Sequence, residues 1–348
     1  MGVLRTIGLR ALTLVGVVLA VLLMLVIVLG VTGLSDKMLK AIADQILIEL
    51  KQSLARQIRD PEALQAAIEQ HKEQIYASFG LDKPWYMRIP DMVLRVMTFD
   101  LGYTRTIKSF TGSQRVADII WERLPNTVLL VTTAIAVSAV IGRIVGVKVA
   151  TKPGSRLDRI ASYFSAISFA LPTWWTGILF IFVFAFYFKL FPFGGMYSAP
   201  PPEEPLARFL DLLWHAALPV TTLVVALVGS WIYVTRTIVL NTAQEDFVAA
   251  ARAKGLPESV VRRRYIIRVA APPILTNIVL GLAGSIGGAI ITETVFQWPG
   301  MGSLYYQAIF SLEENLIIAL TFIFTVVYVA ARFILEILYI VLDPRVRY

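Results

Sequence analysis

The chain has no cysteine, which excludes disulfides, thiolate metal sites and a cysteine nucleophile. Histidine is nearly as scarce: the two present, His71 and His215, lie far apart in sequence. A histidine-built metal site or proton path needs more ligands than that. Charge is thin, at 16% of residues against about 25% in a soluble domain. No Gly-rich phosphate loop of P-loop spacing, nucleophile elbow, zinc helix or kinase set occurs. An enzyme reading, including ATP hydrolysis by such a loop, has little to stand on.

What the chain has is apolar residues, 57% of 348 against about 45–50% in soluble domains. Length alone predicts two soluble domains, but the hydropathy overrides that prior. The net charge of +8 raises nucleic acid as a partner. The basic residues instead fall where membrane topology puts them, so no nucleic-acid partner is expected.

A spanning helix needs about 20 mostly apolar residues. Six segments qualify: 11–33, 125–149, 160–190, 212–239, 272–294 and 315–341. Arg5 and Arg10 precede an apolar run that is too long for a signal-peptide core and lacks a clear cleavage site, so it reads as a retained first span. Lys and Arg in the short loops set orientation. The loop after the second span carries Lys152, Arg156 and Arg159. The loop after the fourth carries Arg252, Lys254, Arg262, Arg263, Arg264 and Arg268, and the tail adds Arg345 and Arg347. The stretch 191–211 holds only Arg208 beside Glu203, Glu204 and Asp211, and 295–314 has no base but holds Glu313 and Glu314. This sign asymmetry predicts a multi-pass protein of the cell (cytoplasmic) membrane with both termini cytoplasmic. Trp174, Trp175, Trp214 and Trp298 fall near span ends, as interfacial anchors or vestibule residues.

The expected organisation is an N-terminal transmembrane helix (1–33), an extracytoplasmic helical segment (34–124) and a core of five transmembrane helices (125–348) with a cytoplasmic loop at 240–271. In 35–79, Ile42, Ile46, Leu47 and Leu50 recur at helical spacing, Ser35 and Asp36 are candidate caps, and Asp60-Pro61-Glu62 starts a second helix.

Ionisable residues inside spans are costly and few here. Arg143 can snorkel from the second span, and Arg332 and Glu336 lie four apart, at a spacing that permits pairing. The remaining candidate is the loop between the fourth and fifth spans. Glu245-Asp246-Phe247-Val248-Ala249-Ala250-Ala251-Arg252-Ala253-Lys254 favours a helix, Gly255 suits its C-cap, and Pro257 follows. A second, basic helix from Glu258 to Arg268 is expected to end before Pro272-Pro273. Such an element, tied to two spans, can carry force from a soluble partner, although an ordinary positive-inside loop has the same composition.

At this loop the sequence closely resembles the permease subunits of ABC importers of the dipeptide/oligopeptide/nickel family. These carry a cytoplasmic coupling helix, and the subfamily's Ala-Arg-Ala-Lys-Gly run is here 251–255, with Ala249 where the family name motif has Glu. Other stretches match in order: Gly80-Leu81-Asp82-Lys83-Pro84, Asp100-Leu101-Gly102, Leu124-Pro125-Asn126-Thr127, Pro172-Thr173-Trp174, Glu293-Thr294-Val295-Phe296, Trp298-Pro299-Gly300-Met301-Gly302 and Leu342-Asp343-Pro344-Arg345. The resemblance covers about 80–348 and the first span.

The resemblance implies an all-α membrane protein with the six-helix fold of the type I ABC importer transmembrane domain, carrying a helical extracytoplasmic insert between helices 1 and 2. It implies a non-catalytic pore subunit, paired with a second homologous permease in the lipid bilayer. Two cytoplasmic ATPase subunits, which bind the ATP and magnesium, and an external solute-binding protein complete the machine. Ala249, Ala250, Ala251, Gly255 and Leu256 are then expected at the ATPase contact, with Glu245, Asp246, Arg252 and Lys254 as polar neighbours. Glu293, Trp174 and Trp175 are candidates for the translocation path or for structural roles. Di- or oligopeptides are the expected cargo and oligosaccharides the alternative, with nickel disfavoured by so few histidines. A self-contained secondary transporter would show buried carboxylate chains or repeats with broken helices, and neither is evident.

Overall fold

The computed structural model describes residues 3–58 and 60–342, with side chains from 8 to 58 and 60 to 337. Arg345, Arg347 and the end of the tail motif lie outside the described residues, as does the side chain of Arg5. Among the described residues, extended pairing is limited to one bridge between Tyr103 and Arg115, so the fold is all-α. Two compact units form, one of 8–122 with 307–326, the other of 123–306 with the last helix from 327 on. Within the first unit, the Phe322 ring meets Phe99 edge-on at 5.3 Å.

In the first unit, α1 (Val3–Val31) supplies a 24-residue apolar stretch from Gly8, about 36 Å at about 1.5 Å per residue and enough to cross the hydrocarbon core. It stops where Gly33 turns left-handed, at φ +67°. Gly33 is also the N-cap of α2 (Leu34–Gln57) and makes no side-chain capping bond. The expected caps are thereby corrected: Ser35 is buried inside the first turn, and Asp36 pairs with Arg88. The second helix, α3 (Pro61–Ser78), starts at Asp60-Pro61-Glu62 as expected, and Asp60 caps it, accepting from the Glu62 N–H at 3.3 Å. The hairpin of α2 and α3 is tied by Tyr76 donating to Asp44. After α4 (Ile89–Met97), the chain folds back on itself between 103 and 115, where Thr104 N–H donates to the Gln114 carbonyl at 2.8 Å.

The second unit holds most of α5 (Val116–Ala150), which crosses α8 (Pro205–Ala243) closely. A Cβ on Gly146 would lie 2.7 Å from that of Thr235, so small residues set the approach. Between them in sequence lie α6 (Arg156–Ala170) and α7 (Thr173–Tyr187), bent by 95° at the break. The expected continuous span 160–190 is therefore corrected. Leu171 is extended (φ −86°, ψ 120°), as a residue before proline prefers, and the helix restarts after Pro172.

The short helix α9 (Asp246–Ala253) follows α8. Next, α10 (Glu258–Gly287) runs straight through Pro272 and Pro273. A stop before the prolines was expected. The missing proline N–H groups leave the Arg268 and Val269 carbonyls without helical partners, a loss that membrane helices tolerate. The expected fifth span, 272–294, also ends earlier, at Gly287. Gly288 breaks it at φ +76°, and Glu293 falls in the separate helix α11 (Ile290–Val295). The last described elements are α12 (Met301–Phe310) and α13 (Glu314–Leu342). Among the described residues, five helices are long and apolar enough to cross a membrane, six if the bent pair α6/α7 counts as one span.

Candidate functional site: the α9 loop and the Glu293 core

Glu245 opens α9 in an extended conformation, and its carbonyl accepts from Val248 N–H at 2.9 Å. Asp246 places negative charge in the first turn, where the helix dipole favours it. The helix is sided. Val248 and Ala251 point inward and join a buried cluster with Ala150, Val239, Val261, Ile266, Ala270 and Ile274, against which Leu256 also packs. This cluster links the α9 loop to α5, α8 and α10.

The far end is fixed by turn chemistry. Lys254 N–H donates to the Ala250 carbonyl at 3.1 Å, and Gly255, at φ +74°, donates to Arg252 at 2.9 Å. A Cβ on Gly255 would meet nothing within 4 Å, so glycine is required by conformation and not by space. Arg252 then forks onto Glu258 at 3.0 and 3.3 Å across the turn. Both side chains are exposed, and the Glu258 hydrogen bond raises the Arg252 pKa above its usual value.

Of the residues expected at a partner contact, Glu245, Asp246, Ala249, Ala250, Arg252, Lys254 and Gly255 are exposed on the outer side. Ala251 is not: it is 3% exposed and belongs to the inner cluster, and Leu256 leans the same way. The spacing of Val248 and Ala251, three apart, carried that signal. Phe247, 39% exposed, is a large outward side chain that sequence reasoning passed over.

Glu293 lies in a different setting from Trp174 and Trp175. Its carboxylate is fully enclosed. It accepts from Thr127 Oγ1 at 3.0 Å, Ser303 N–H at 2.9 Å and Ala289 N–H at 3.4 Å, and from Gly302 N–H. Thr127 Oγ1 in turn accepts from Met301 N–H at 2.6 Å. Trp298, expected near an interface, is sealed inside, its indole N–H on the Asn126 carbonyl at 2.9 Å. Asn126 answers with a bond to the Pro299 carbonyl at 2.8 Å. The two stretches 124–127 and 293–302 therefore form one knot around a buried carboxylate. Nothing in either stretch alone announces the pairing.

Glu293 is 0% exposed. Thr292 beside it reaches Thr173 Oγ1 at 3.2 Å, next to Trp174 and Trp175, which are 40% and 44% exposed on the first turn of α7. The three candidates thus separate into one enclosed carboxylate and two surface rings.

Several membrane-crossing helices with a short sided helix strung between two of them describe a polytopic membrane transport component of the permease class. Residues 138–348 match the family of binding-protein-dependent transport system inner membrane components. The chain belongs to this family, whose fold is that of the type I ABC importer transmembrane domain. It is similar to the oligopeptide transport system permease protein AppB of Bacillus subtilis (strain 168), at 30% identity over 322 residues, covering 92% of this chain and 96% of AppB. A protein of Brucella abortus (strain 2308) named as a peptide transport system permease is 30% identical, over 79% of this chain and 84% of its own length. Another, named as a peptide ABC transporter permease in Sinorhizobium fredii, is 30% identical over 83% of this chain and 90% of its own.

Proposed function

We propose that this chain is the pore subunit of an ATP-driven, binding-protein-dependent importer of di- or oligopeptides. The observation that carries the mechanism is α9: its inner face is locked into the inner ends of α5, α8 and α10, while its outer face is free to meet a soluble partner. The peptide cargo rests on the names of similar permeases, AppB among them.

In this reading the α9 loop and both termini are cytoplasmic, by the sign of the short loops, and 34–124 is extracytoplasmic. Two ATPase subunits, which bind ATP and magnesium, grip the coupling helices of the paired permeases, in this chain the outer face of α9 through Glu245, Asp246, Ala249, Ala250, Arg252, Lys254 and Gly255. A second, related permease completes the pore in the bilayer, and an external binding protein delivers cargo. Closure of the ATPases moves α9 and the span ends fixed to it, and the pore switches between outward- and inward-open states. This chain binds no cofactor and forms no covalent intermediate.

The test is isolation of the complex from its native membrane in mild detergent, with mass spectrometry of the co-purifying chains and bound small molecules. Two ATPases, a second permease and peptides are expected. Bound sugars would keep the machine and replace its cargo. A lone chain active in liposomes without ATP would overturn the reading.

A further inference from the structure

We infer that Asp158 and Arg236 form a clamp that makes α6 travel with α8, so that a displacement of α9 is delivered to the bend between α6 and α7. The inference deepens the proposed function and rests on it.

The face of α6 turned into the protein consists of Asp158, Ala161, Ser165 and Ser168. Its other side is open, with Ile160 at 66%, Tyr163 at 72% and Phe169 at 79% exposed. Ala161 packs with Val149, Val228 and Ile232, and Ser165 and Ser168 lie against Gly229, so the apolar part of the contact is made of small residues. Side-chain hydrogen bonds add to this hold at two places. Near its far end, two residues short of Ala170, Ser168 Oγ donates to the Val225 carbonyl at 2.7 Å and accepts from Gly229 N–H at 3.3 Å. At the inner end, Arg236 forks onto Asp158, with Nε to Oδ1 at 2.5 Å and Nη2 to Oδ2 at 2.9 Å. The carboxylate is 5% exposed, and its Oδ2 also accepts from Gly154 N–H at 2.8 Å. A bidentate, nearly enclosed pair fixes both distance and angle, and loss of one partner leaves a buried charge.

Arg236 stands about two turns before the end of α8 at Ala243, and Gln244 and Glu245 alone separate that end from α9. Val239 of α8 packs in the same cluster as Val248 and Ala251 of α9. The inner ends of α9, α8 and α6 are thus linked in series. At the other end of α6 the chain bends by 95°, directly before Trp174 and Trp175. Without the clamp, α6 would keep the Ser168 bonds and the packing of Ala161 and Ser165, all beyond its first turn, and its inner end could swing away from α8.

The experiment reconstitutes the whole importer in liposomes and measures ATP hydrolysis and cargo uptake together. The variants are Asp158→Asn, Arg236→Lys and the exchange Asp158→Arg with Arg236→Asp. The wild type must first take up cargo on ATP, so failure of the proposed function is seen separately. The single variants are expected to assemble, to hydrolyse ATP and to lose about tenfold in cargo moved per ATP; the exchange should recover much of it. Spin labels at Ile160→Cys and Tyr233→Cys, in a chain otherwise free of cysteine, should keep one distance through the ATP cycle in the wild type and spread in Asp158→Asn. Wild-type cargo per ATP in both single variants would overturn the inference. So would parallel loss of assembly, hydrolysis and uptake with no recovery in the exchange, which would make the pair a folding element only.

Discussion

Gly300 lies against the carboxylate of Glu293 so closely that a Cβ on the glycine would stand 2.5 Å from Oε2. Backbone must approach that oxygen for the N–H groups of Gly302 and Ser303 to reach it, and no side chain at 300 leaves room. Gly300→Ala should therefore mimic loss of the carboxylate. Glu293→Ala strands buried donors from Thr127, Ser303 and Gly302, each costing about 1–3 kcal/mol. Both variants should lower the thermal midpoint of the detergent-solubilised protein by several degrees. An unchanged midpoint for Glu293→Ala would show that the knot is not held by its carboxylate.

How much of this was legible in the sequence depends on what hydropathy encodes. Long apolar runs report which residues meet lipid, so α1 and α13 were readable to within a few residues, whereas α5 and α8 begin nine and seven residues before the expected 125 and 212. Hydropathy says nothing about backbone direction. The run through 160–190 stays apolar across a 95° bend. Pro172 was the available signal, but Pro272 and Pro273 carry the same letter inside an unbroken helix. Proline removes a donor in each case; whether the chain then turns depends on packing that a single sequence does not display. The Gly255 turn was readable because left-handed C-caps are local. The Glu293 knot was not, because Thr127 reaches it from 166 residues away, although Ser303 stands only ten residues on.

Ala249 and Ala251 differ by two positions and by the side of α9 they occupy. Ala251 is buried among the span ends, whereas Ala249 is exposed. Glutamate at 251 forces a charge into an apolar cluster and should reduce the amount of folded permease. Glutamate at 249 should leave folding intact and weaken association with the ATPase subunits. Fluorescence size-exclusion of the permease alone, followed by pull-down of the ATPases, separates the two effects. Equal behaviour of the two variants would refute the sidedness of α9.

Gly255 tests the turn itself. Its φ of +74° lies where proline, held near −65°, cannot follow, and proline also lacks the N–H that Gly255 donates to Arg252. Gly255→Pro should insert in the membrane normally yet lose cargo-stimulated ATP hydrolysis. Gly255→Asn should retain most of it, because asparagine tolerates the left-handed region. Wild-type stimulation in Gly255→Pro would mean that the turn does not set the geometry of coupling.

Glu313 is 4% exposed, and its carboxylate takes the N–H groups of Arg105 and Thr106, at 3.0 and 2.6 Å to Oε1, and the Thr106 hydroxyl at 2.8 Å. Arg105 adds a bond to the Ser311 carbonyl at 3.0 Å. These bonds hold the start of the turned-back segment whose remainder carries the exposed Lys108 and Phe110. Glu313→Ala removes the acceptor for both backbone N–H groups at once, and the segment should open locally without unfolding the helices on either side. Trypsin added to the extracytoplasmic side should then cut after Arg105 or Lys108 on the order of ten times faster than in the wild type, since cleavage follows the population of the open form. Cleavage seen only from the cytoplasmic side would reverse the orientation assigned to 34–124. An unchanged rate from the extracytoplasmic side would mean that Glu313 is not what holds the segment closed.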